Sequence, residues 1–268
     1  MKIARIKSIS GEIEYIEPLS DRRGNLLSGD LEIGYTRQNQ EIEYEELLAP
    51  IVPTCMLCIG LNYKEHAAET GKKPPERPML FIKSPNVLLD PFKPIELPRH
   101  LESQKVDYEG ELAVVIGKAA KNVAEEEALD YVFGYTIAND VSARDWQWEL
   151  GNGQYCQGKS FDTFAPLGPW IVTTDDIANP NDLKIETRVN DQIRQSSSTS
   201  DMIFSVARII SFLSGSKTLL PGTVILTGTP PGVGGGMNPP TYLNSGDKIE
   251  IEIEKIGRLE NPIVEEAT

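Results

Sequence analysis

Short apolar runs of four to eight residues recur along most of this chain, and turn-forming glycines and prolines separate them. Runs of this length and composition predict β-strands. The strand candidates cover residues 9–16, 41–44, 79–83, 106–116, 135–138, 170–173, 184–189, 223–227 and 248–254. Between two alternating runs, the pair Asn190-Asp191 predicts a hairpin turn.

Helical periodicity is confined to four short segments, 62–70, 125–129, 142–149 and 202–213. Because these segments do not alternate regularly with the strands, the pattern disfavours a doubly wound sheet and favours a mostly-β mixed fold with short helices (α+β). The glycine-broken strands near the start predict a small N-terminal β-rich unit in residues 1–52. Residues 53–268 then form the larger, catalytic domain.

The formal net charge of −14 over 268 residues narrows the choice of partners. An excess of carboxylates repels phosphate backbones and anionic lipid heads, so we expect neither nucleic acid nor a membrane as partner. An anionic substrate would need a local cation for its binding. No apolar run near Met1 is long enough for a signal peptide or a membrane span, which predicts a cytoplasmic protein. Three cysteines, an odd number, argue against a secreted disulfide scaffold.

Three acidic residues open the predicted strand 106–116. Period two places Asp107, Glu109 and Glu111 on one face, with Glu109 and Glu111 about 7 Å apart along the strand. Two carboxylates at this spacing can bind one hard divalent cation, and Asp140, after an apolar run, is the candidate third ligand. A solvated edge strand is an equally good interpretation of the acids alone. Gly110 between them is unusual, since glycine weakens a strand unless a chain or ligand comes close.

The segment 62–70 has the signals of a short helix, with Asn62 as its N-cap, Glu65 three residues later and Gly71 at its end. His66 and Glu69 would then share one face, where the carboxylate can orient the imidazole and raise its basicity. This pair suits activation of a water molecule. Judged by the residues alone, an incidental surface ion pair is the commoner explanation.

Arg144 and Gln147 lie about one helical turn apart in the segment 142–149 and can contact one ligand. The Arg144 guanidinium suits a carboxylate, and the Gln147 amide both donates and accepts. A solvent-facing surface is as good an explanation of this pair. Lys159 has no local feature that distinguishes it from a surface lysine.

Three further patterns match familiar motifs but lack their context. Residues 153–160 fit the spacing of a phosphate-binding loop, yet no strand precedes them and no helix is predicted to open at Lys159. Cys55 and Cys58 are three residues apart in a predicted strand, so their thiols should face opposite ways. The glycine-rich residues 227–236 lack a strand–loop–helix arrangement, although backbone N–H groups there could still meet an anion.

Taken together, the motifs resemble those of the fumarylacetoacetate hydrolase family over residues 58–254. They are GLNY at 60–63 followed by His66 and Glu69, DYEGELAVVIG at 107–117, NDVSARD at 139–145, GKSFD at 158–162 and LTGTP at 226–230. In residues 1–57 we find neither the longer N-terminal domain nor the further aspartate ligand of the eponymous hydrolases. The chain is therefore most similar to the short acylpyruvase-like branch.

The resemblance implies a mixed β-roll of the family's C-terminal-domain type, a homodimer, and a site for Mg²⁺ or Mn²⁺. The roles it implies are metal ligands at Glu109, Glu111 and Asp140, a water-activating pair at His66 and Glu69, enolate neutralisation by Lys159, and substrate contacts from Arg144, Gln147 and Thr229.

The resulting functional hypothesis is hydrolysis of a carbon–carbon bond in an acylpyruvate-type 2,4-dioxo acid. The alternatives are decarboxylation or keto–enol tautomerisation of oxaloacetate, or isomerisation of a 2-hydroxy-dienoate, at the same metal and enolate site. A third possibility is a metal-stabilised binding protein without turnover. The branch contains several of these reactions on one set of residues, so membership defines the site better than the reaction.

Overall fold

The computed structural model of the chain describes residues 1–20 and 22–267. The strands are β1 Lys2–Ser8, β2 Ile13–Pro18, β3 Arg23–Asp30, β4 Gly34–Leu48, β5 Cys55–Gly60, β6 Met79–Lys83, β7 Leu88–Leu89, β8 Ile95–Leu97, β9 Val106–Asp107, β10 Gly110–Ile116, β11 Ala120–Lys121, β12 Val132–Asn139, β13 Ser142–Ala143, β14 Ala165–Thr173, β15 Lys184–Val189, β16 Gln192–Ser198, β17 Thr218–Leu219, β18 Thr223–Leu226, β19 Lys248–Ile253 and β20 Gly257–Glu265.

In the part of the chain that the structure describes, four short α-helices and four 3₁₀ turns connect these strands. The helices are α1 Lys64–Glu69, α2 Arg144–Trp148, α3 Tyr155–Lys159 and α4 Val206–Ser214, and the turns are Pro85–Val87, Glu125–Tyr131, Thr199–Asp201 and Gly234–Gly236. None of the helices in the described ranges is long and apolar enough to cross a bilayer. The predicted mostly-β mixed fold with short helices is confirmed.

Two sheets pack face to face around the core. The larger has the order β2-β3-β4-β1-β14-β12-β10-β18-β5-β6, with β7 on β14, and the smaller has the order β16-β15-β19-β20-β8. The smaller sheet covers β10, β12 and β14. All seven residues of β10 are buried as a result, which explains its nearly continuous apolar sequence.

The N-terminal strands β1 to β4 pair antiparallel with one another and enclose a small apolar cluster of Ala4, Ile6 and Ile16. Strand β1 also pairs with β14, where Lys2 and Ile3 oppose Val172 and Ile171. Backbone hydrogen bonds therefore join this unit to the larger sheet. The boundary at residues 52 and 53 stays a prediction.

Several predicted element boundaries differ from the structure near the acidic strand. The single strand expected over 106–116 breaks at Tyr108 and Glu109 into β9 and β10, because β9 leaves the sheet to pair with β13. That pairing also takes Ser142 out of the expected helix, so α2 begins only at Arg144. The helix expected from residue 202 begins at Val206, where the Ser205 hydroxyl caps the Arg208 N–H.

The hairpin predicted at Asn190-Asp191 is confirmed between β15 and β16. Both residues adopt positive φ, 50° and 63°, which is the backbone geometry of a type I′ turn.

Candidate active site

Three buried carboxylates converge where β10 and β12 pair. Glu109 immediately precedes β10, Glu111 lies within it, and Asp140 follows β12. The opposed residues Gly110 and Asn139, and a 2.9 Å hydrogen bond from the Asp140 N–H to the Glu109 carbonyl, bring the segments together. One carboxylate oxygen from each side chain lies within 4.8 Å of the other two. The structure thus brings together the three predicted ligands.

Two buried lysines neutralise part of this charge. The Lys159 Nζ lies 2.8 Å from Glu109 Oε2 and 2.8 Å from Asp140 Oδ2, and the Lys83 Nζ lies 2.6 Å from Asp140 Oδ1. The surface location considered for Lys159 from its local sequence is wrong, because the C-terminal end of α3 directs its side chain inward and leaves it 2% exposed. Sequence analysis missed Lys83. The available signal was its position two residues after the buried Phe81 on β6, which places both on the inner face.

Glu109 and Glu111 have opposite electrostatic environments. Burial alone would raise the Glu109 pKa, but the Lys159 and Arg144 charges outweigh it and lower that pKa to about 2. Burial, and then the negative charges of Asp140 and Glu109, raise the pKa of Glu111 well above its usual value. Its hydrogen-bond donor is the Gly228 N–H, at 2.6 Å. Glu111 therefore requires a proton or a further cation.

The donor set fits a hard divalent cation. All three groups supply carboxylate oxygens, the class of ligand that Mg²⁺ and Mn²⁺ prefer, and they converge at a position where negative charge is in excess. The residues present could therefore hold a divalent metal ion.

Arg144 connects the carboxylates to a second acidic residue. Its Nε donates to Asp107 Oδ2 at 2.9 Å, and its Nη1 lies 2.6 Å from Glu109 Oε1 and donates to Gln147 Oε1 at 3.0 Å. The negative charges of Glu109 and Asp107 outweigh burial and raise the Arg144 pKa. The expectation that Asp107 shares the ligand face needs correction: after the break at Tyr108, its carboxylate contacts Arg144 and lies outside the metal-ligand group found among the described residues.

His66 and Glu69 lie on α1, as predicted. The His66 Nδ1 is 3.0 Å from Glu69 Oε2, and the side chains are only 12% and 22% exposed, which is lower than for a freely solvated surface pair. The other Glu69 oxygen, Oε1, accepts the Gly232 N–H at 2.9 Å. This contact attaches α1 to the glycine-rich segment 227–236.

The N-terminus of α1 is capped differently from the prediction. Asn62 lies one residue too early to act as the N-cap, which is Tyr63. The side-chain amide of Asn62 donates instead to the carbonyls of Thr227 and Phe204, at 2.8 and 3.1 Å. The Asp201 Oδ2 accepts the Glu65 N–H at 3.0 Å, so a residue distant in sequence provides the cap. The predicted end is confirmed, with Gly71 at φ 65°.

Thr229, a predicted substrate contact, is buried against the backbone of Gly110, the residue between the candidate metal ligands Glu109 and Glu111. Its hydroxyl donates to the Gly110 carbonyl at 3.0 Å and accepts from Gln195 Nε2 at 2.8 Å. The Gln195 Oε1 accepts the Gly110 N–H at 3.0 Å. Gln195, which sequence analysis missed, thus joins the acidic strand to the loop after β18.

The three misleading patterns have structural explanations. Lys159 ends α3 and does not open a helix, which differs from a phosphate-binding loop. Cys55 and Cys58 are free, and Cys58 is buried. The glycine-rich segment does present backbone N–H groups to anions, and these are the chain's own carboxylates Glu69, Asp107 and Glu111.

A cavity of about 550 Å³ is lined by residues of α1, α2 and the glycine-rich segment. Its walls include His66, Glu69, Lys72, Arg144, Trp148 and Tyr242. The cavity therefore gives a small ligand access to the predicted catalytic pair and to the predicted substrate-binding arginine.

Most of the chain is similar to a known protein family. Residues 55–264 match the family model described as "Fumarylacetoacetate (FAA) hydrolase C-terminal". The chain belongs to the fumarylacetoacetate hydrolase family. Members of this family are enzymes, and the resemblance inferred from the motifs is confirmed.

Individual relatives are similar over most of the chain. The Xenopus laevis protein "Oxaloacetate tautomerase fahd2, mitochondrial" is 48% identical over 219 residues, which cover 81% of this chain and 68% of that relative. The structure of "5-carboxymethyl-2-hydroxymuconate delta-isomerase" from Mycobacterium smegmatis is 37% identical with a TM-score of 0.86, over 99% of this chain and 100% of the other. The "2-hydroxyhepta-2,4-diene-1,7-dioate isomerase" of Mycobacterium marinum is 37% identical with a TM-score of 0.85, over 100% of both chains.

Proposed function

We propose that this enzyme catalyses keto–enol tautomerisation of oxaloacetate or a closely related 2-oxo acid, at a site that holds Mg²⁺ or Mn²⁺. The observation that carries the proposal is the buried group of Glu109, Glu111 and Asp140 with the Lys159 ammonium in contact with it. When bound, a divalent ion supplies Lewis-acid stabilisation of the charge on an enolate oxygen.

The chain's own residues would divide the proton transfer between them. With Nδ1 of His66 donating to Glu69, the other ring nitrogen carries the lone pair that removes a proton from the carbon next to the carbonyl. The buried Lys159 ammonium would stabilise the negative charge that moves to oxygen, and Arg144 would bind the substrate carboxylate. Returning the proton to oxygen completes the isomerisation without a co-reactant.

Hydrolysis of acylpyruvates, our main hypothesis from sequence, has less support. The His66–Glu69 pair at 3.0 Å also suits activation of water, but the named relatives above are a tautomerase and two isomerases. Decarboxylation of oxaloacetate would break the bond to the second carboxylate and form the enolate of pyruvate, which the same cations would stabilise. Several inferences from sequence stay predictions. They are the identity of the metal, the roles of the site residues, a homodimer, the cytoplasmic location, and the lack of nucleic-acid or membrane partners.

The decisive experiment measures the decrease in ultraviolet absorbance of enol-oxaloacetate in the presence of purified protein and Mg²⁺ or Mn²⁺. We expect faster ketonisation than with a Glu109→Gln control, and no release of CO₂ in the same period. No acceleration over that control would refute the proposal. Release of pyruvate from acetylpyruvate, with loss of this activity in His66→Ala, would instead support the hydrolase.

A further inference from the structure

The cations around the site differ in whether a carboxylate already neutralises them. Lys83, Arg144 and Lys159 each contact at least one buried carboxylate. Lys105, which also lines the cavity, lies 2.8 Å from Glu149. Within residues 1–20 and 22–267, no carboxylate oxygen lies within 4.0 Å of the Lys72 Nζ. Lys72 is therefore a cavity-lining ammonium that is available to an anionic ligand.

The backbone of Lys72 is fixed by the end of α1. The Gly71 N–H donates to the Ala68 carbonyl at 3.1 Å, and the Lys72 N–H donates to the Ala67 carbonyl at 2.9 Å. With Gly71 at φ 65°, this is a Schellman-type helix end. Lys72 therefore starts from an ordered position and not from a loose surface loop, because its own N–H makes one of the hydrogen bonds that end α1.

The ammonium end is held as well. The Lys72 Nζ lies 4.4 Å from the ring centroid of Trp148, a cation–π contact, and the Trp148 ring packs edge-on against Tyr155 at 4.8 Å. Trp148 belongs to α2, the same helix that carries Arg144. The two cations therefore line one cavity, Arg144 from α2 and Lys72 from the segment that follows α1.

Lys72 is close enough to Arg144 for the two positive charges to repel each other, although Glu109 attracts both. Partial burial, and then the positive charge of Arg144, lower the pKa of Lys72, and the negative charge of Glu109, a smaller effect, raises it. A carboxylate in the cavity would reverse the second effect, because it attracts both cations. This geometry matches a ligand with negative charge at two ends, one near Arg144 and one near Lys72.

We propose that Lys72 binds the second carboxylate of the substrate and makes this enzyme selective for dicarboxylic over monocarboxylic 2-oxo acids. The inference rests on the proposed function for the orientation of the substrate, with its 2-oxo acid end at the buried carboxylates. Lys72 acts on specificity and takes no part in proton transfer.

The test compares Lys72→Met with Lys72→Arg and with Lys73→Met, a matched control at the adjacent lysine, which is exposed like Lys72 but does not line the cavity. For Lys72→Met we expect the oxaloacetate KM to rise about 10-fold, the typical effect of losing a charge-assisted hydrogen bond, with little change in kcat. Lys72→Arg should restore most of the affinity, and Lys73→Met should match the wild type.

Calorimetry separates this inference from the proposed function. We would titrate the metal-loaded protein with 3,3-difluorooxaloacetate, a dianion that cannot enolise, and with pyruvate, a monoanion. Lys72→Met should weaken binding of the dianion about 10-fold and leave pyruvate binding unchanged. An equal loss of affinity for both ligands would mean that Lys72 stabilises the end of α1 and does not recognise the second carboxylate. No loss of affinity for either ligand would mean that Lys72 does not contact the ligand. Either outcome overturns the inference. If the wild type binds the dianion selectively but does not isomerise oxaloacetate, only the proposed function fails.

Discussion

Gly110 and Thr187 meet where the two sheets pack, so closely that a Cβ on residue 110 would overlap the Thr187 Oγ1. Gly110 lies on β10 between the two glutamates of the candidate metal site, and Thr187 lies on β15 of the smaller sheet. The unusual glycine between two acids therefore reflects close approach of another strand. The position of both carboxylates depends on this sheet packing.

We expect Gly110→Ala to lower the free energy of unfolding by about 1–3 kcal/mol, the usual cost of overpacking a core. It should also weaken metal binding, because the displaced strand carries Glu109 and Glu111. Urea unfolding measures the first effect, and metal titration calorimetry measures the second. The Thr187 hydroxyl has no partner among the described residues, so Thr187→Ala should cost little alone and should rescue Gly110→Ala. Additive losses in the double variant would contradict this explanation.

A divalent ion should stabilise the folded protein. The three converging carboxylates exist as a group only in the folded chain, so an ion at 100 times its dissociation constant adds about 2.7 kcal/mol. The measurement is the unfolding temperature after chelator treatment, with and without Mg²⁺ or Mn²⁺. Glu111→Gln should abolish the increase, whereas Glu76→Gln at an exposed glutamate should keep it. An increase that survives in Glu111→Gln would place the ion elsewhere.

Sequence reasoning found the parts of the site that depend on local periodicity. Glu109 and Glu111 follow from the two-residue repeat, and Asp140 follows from its place after an apolar run. Gly110 was recognised as a point of close approach. Each of these inferences needs only the residues of one segment and the geometry of a strand.

The residues that it missed depend on packing between distant segments. Lys83 reaches Asp140 from 57 residues away, and Gln195 reaches Gly110 from 85 residues away. The cap of α1 by Asp201 and the break of the acidic strand after Asp107 likewise result from tertiary contacts, which no local pattern encodes. Periodicity assigns a residue to a face of its element, but the opposing element is set by the fold.

Lys159→Met should lower kcat of the proposed tautomerisation by roughly 100- to 1000-fold, the range seen when a group that stabilises a developing oxyanion is removed. It should also leave Glu109 and Asp140 less neutralised, so that Mg²⁺ binds more tightly. Steady-state kinetics and calorimetry measure the two effects. Lys83→Met, which removes the other contact to Asp140, is the control and should change kcat much less. Equal kcat losses in both variants would indicate a shared structural role.

Asp107 orients Arg144 and the glycine-rich segment together, which makes it a positioning residue. Its carboxylate accepts the Arg144 Nε–H at 2.9 Å and the N–H groups of Gly234 and Gly235 at 2.7 and 2.9 Å. Asp107→Asn keeps the shape but removes the charge and turns an amide donor toward existing donors. We expect a loss of about 3 kcal/mol in the free energy of unfolding, because a buried ion pair is broken. Arg144 would keep its contact with Glu109 but lose the one with Asp107, so its guanidinium would be less well oriented. We therefore also expect a higher substrate KM.

Asp145→Asn separates orientation of Arg144 from general destabilisation. The Asp145 carboxylate is also buried and accepts the Gln104 N–H at 2.9 Å and the Ser103 hydroxyl at 2.7 Å, but it makes no salt bridge to Arg144. Its substitution should reduce stability without a comparable rise in KM, and both variants should keep the Mg²⁺-dependent increase in unfolding temperature. If Asp107 directs the Arg144 guanidinium, removing its charge must change substrate affinity. A similar KM for Asp107→Asn and Asp145→Asn, at matched losses of stability, would therefore mean that Asp107 only supports the fold.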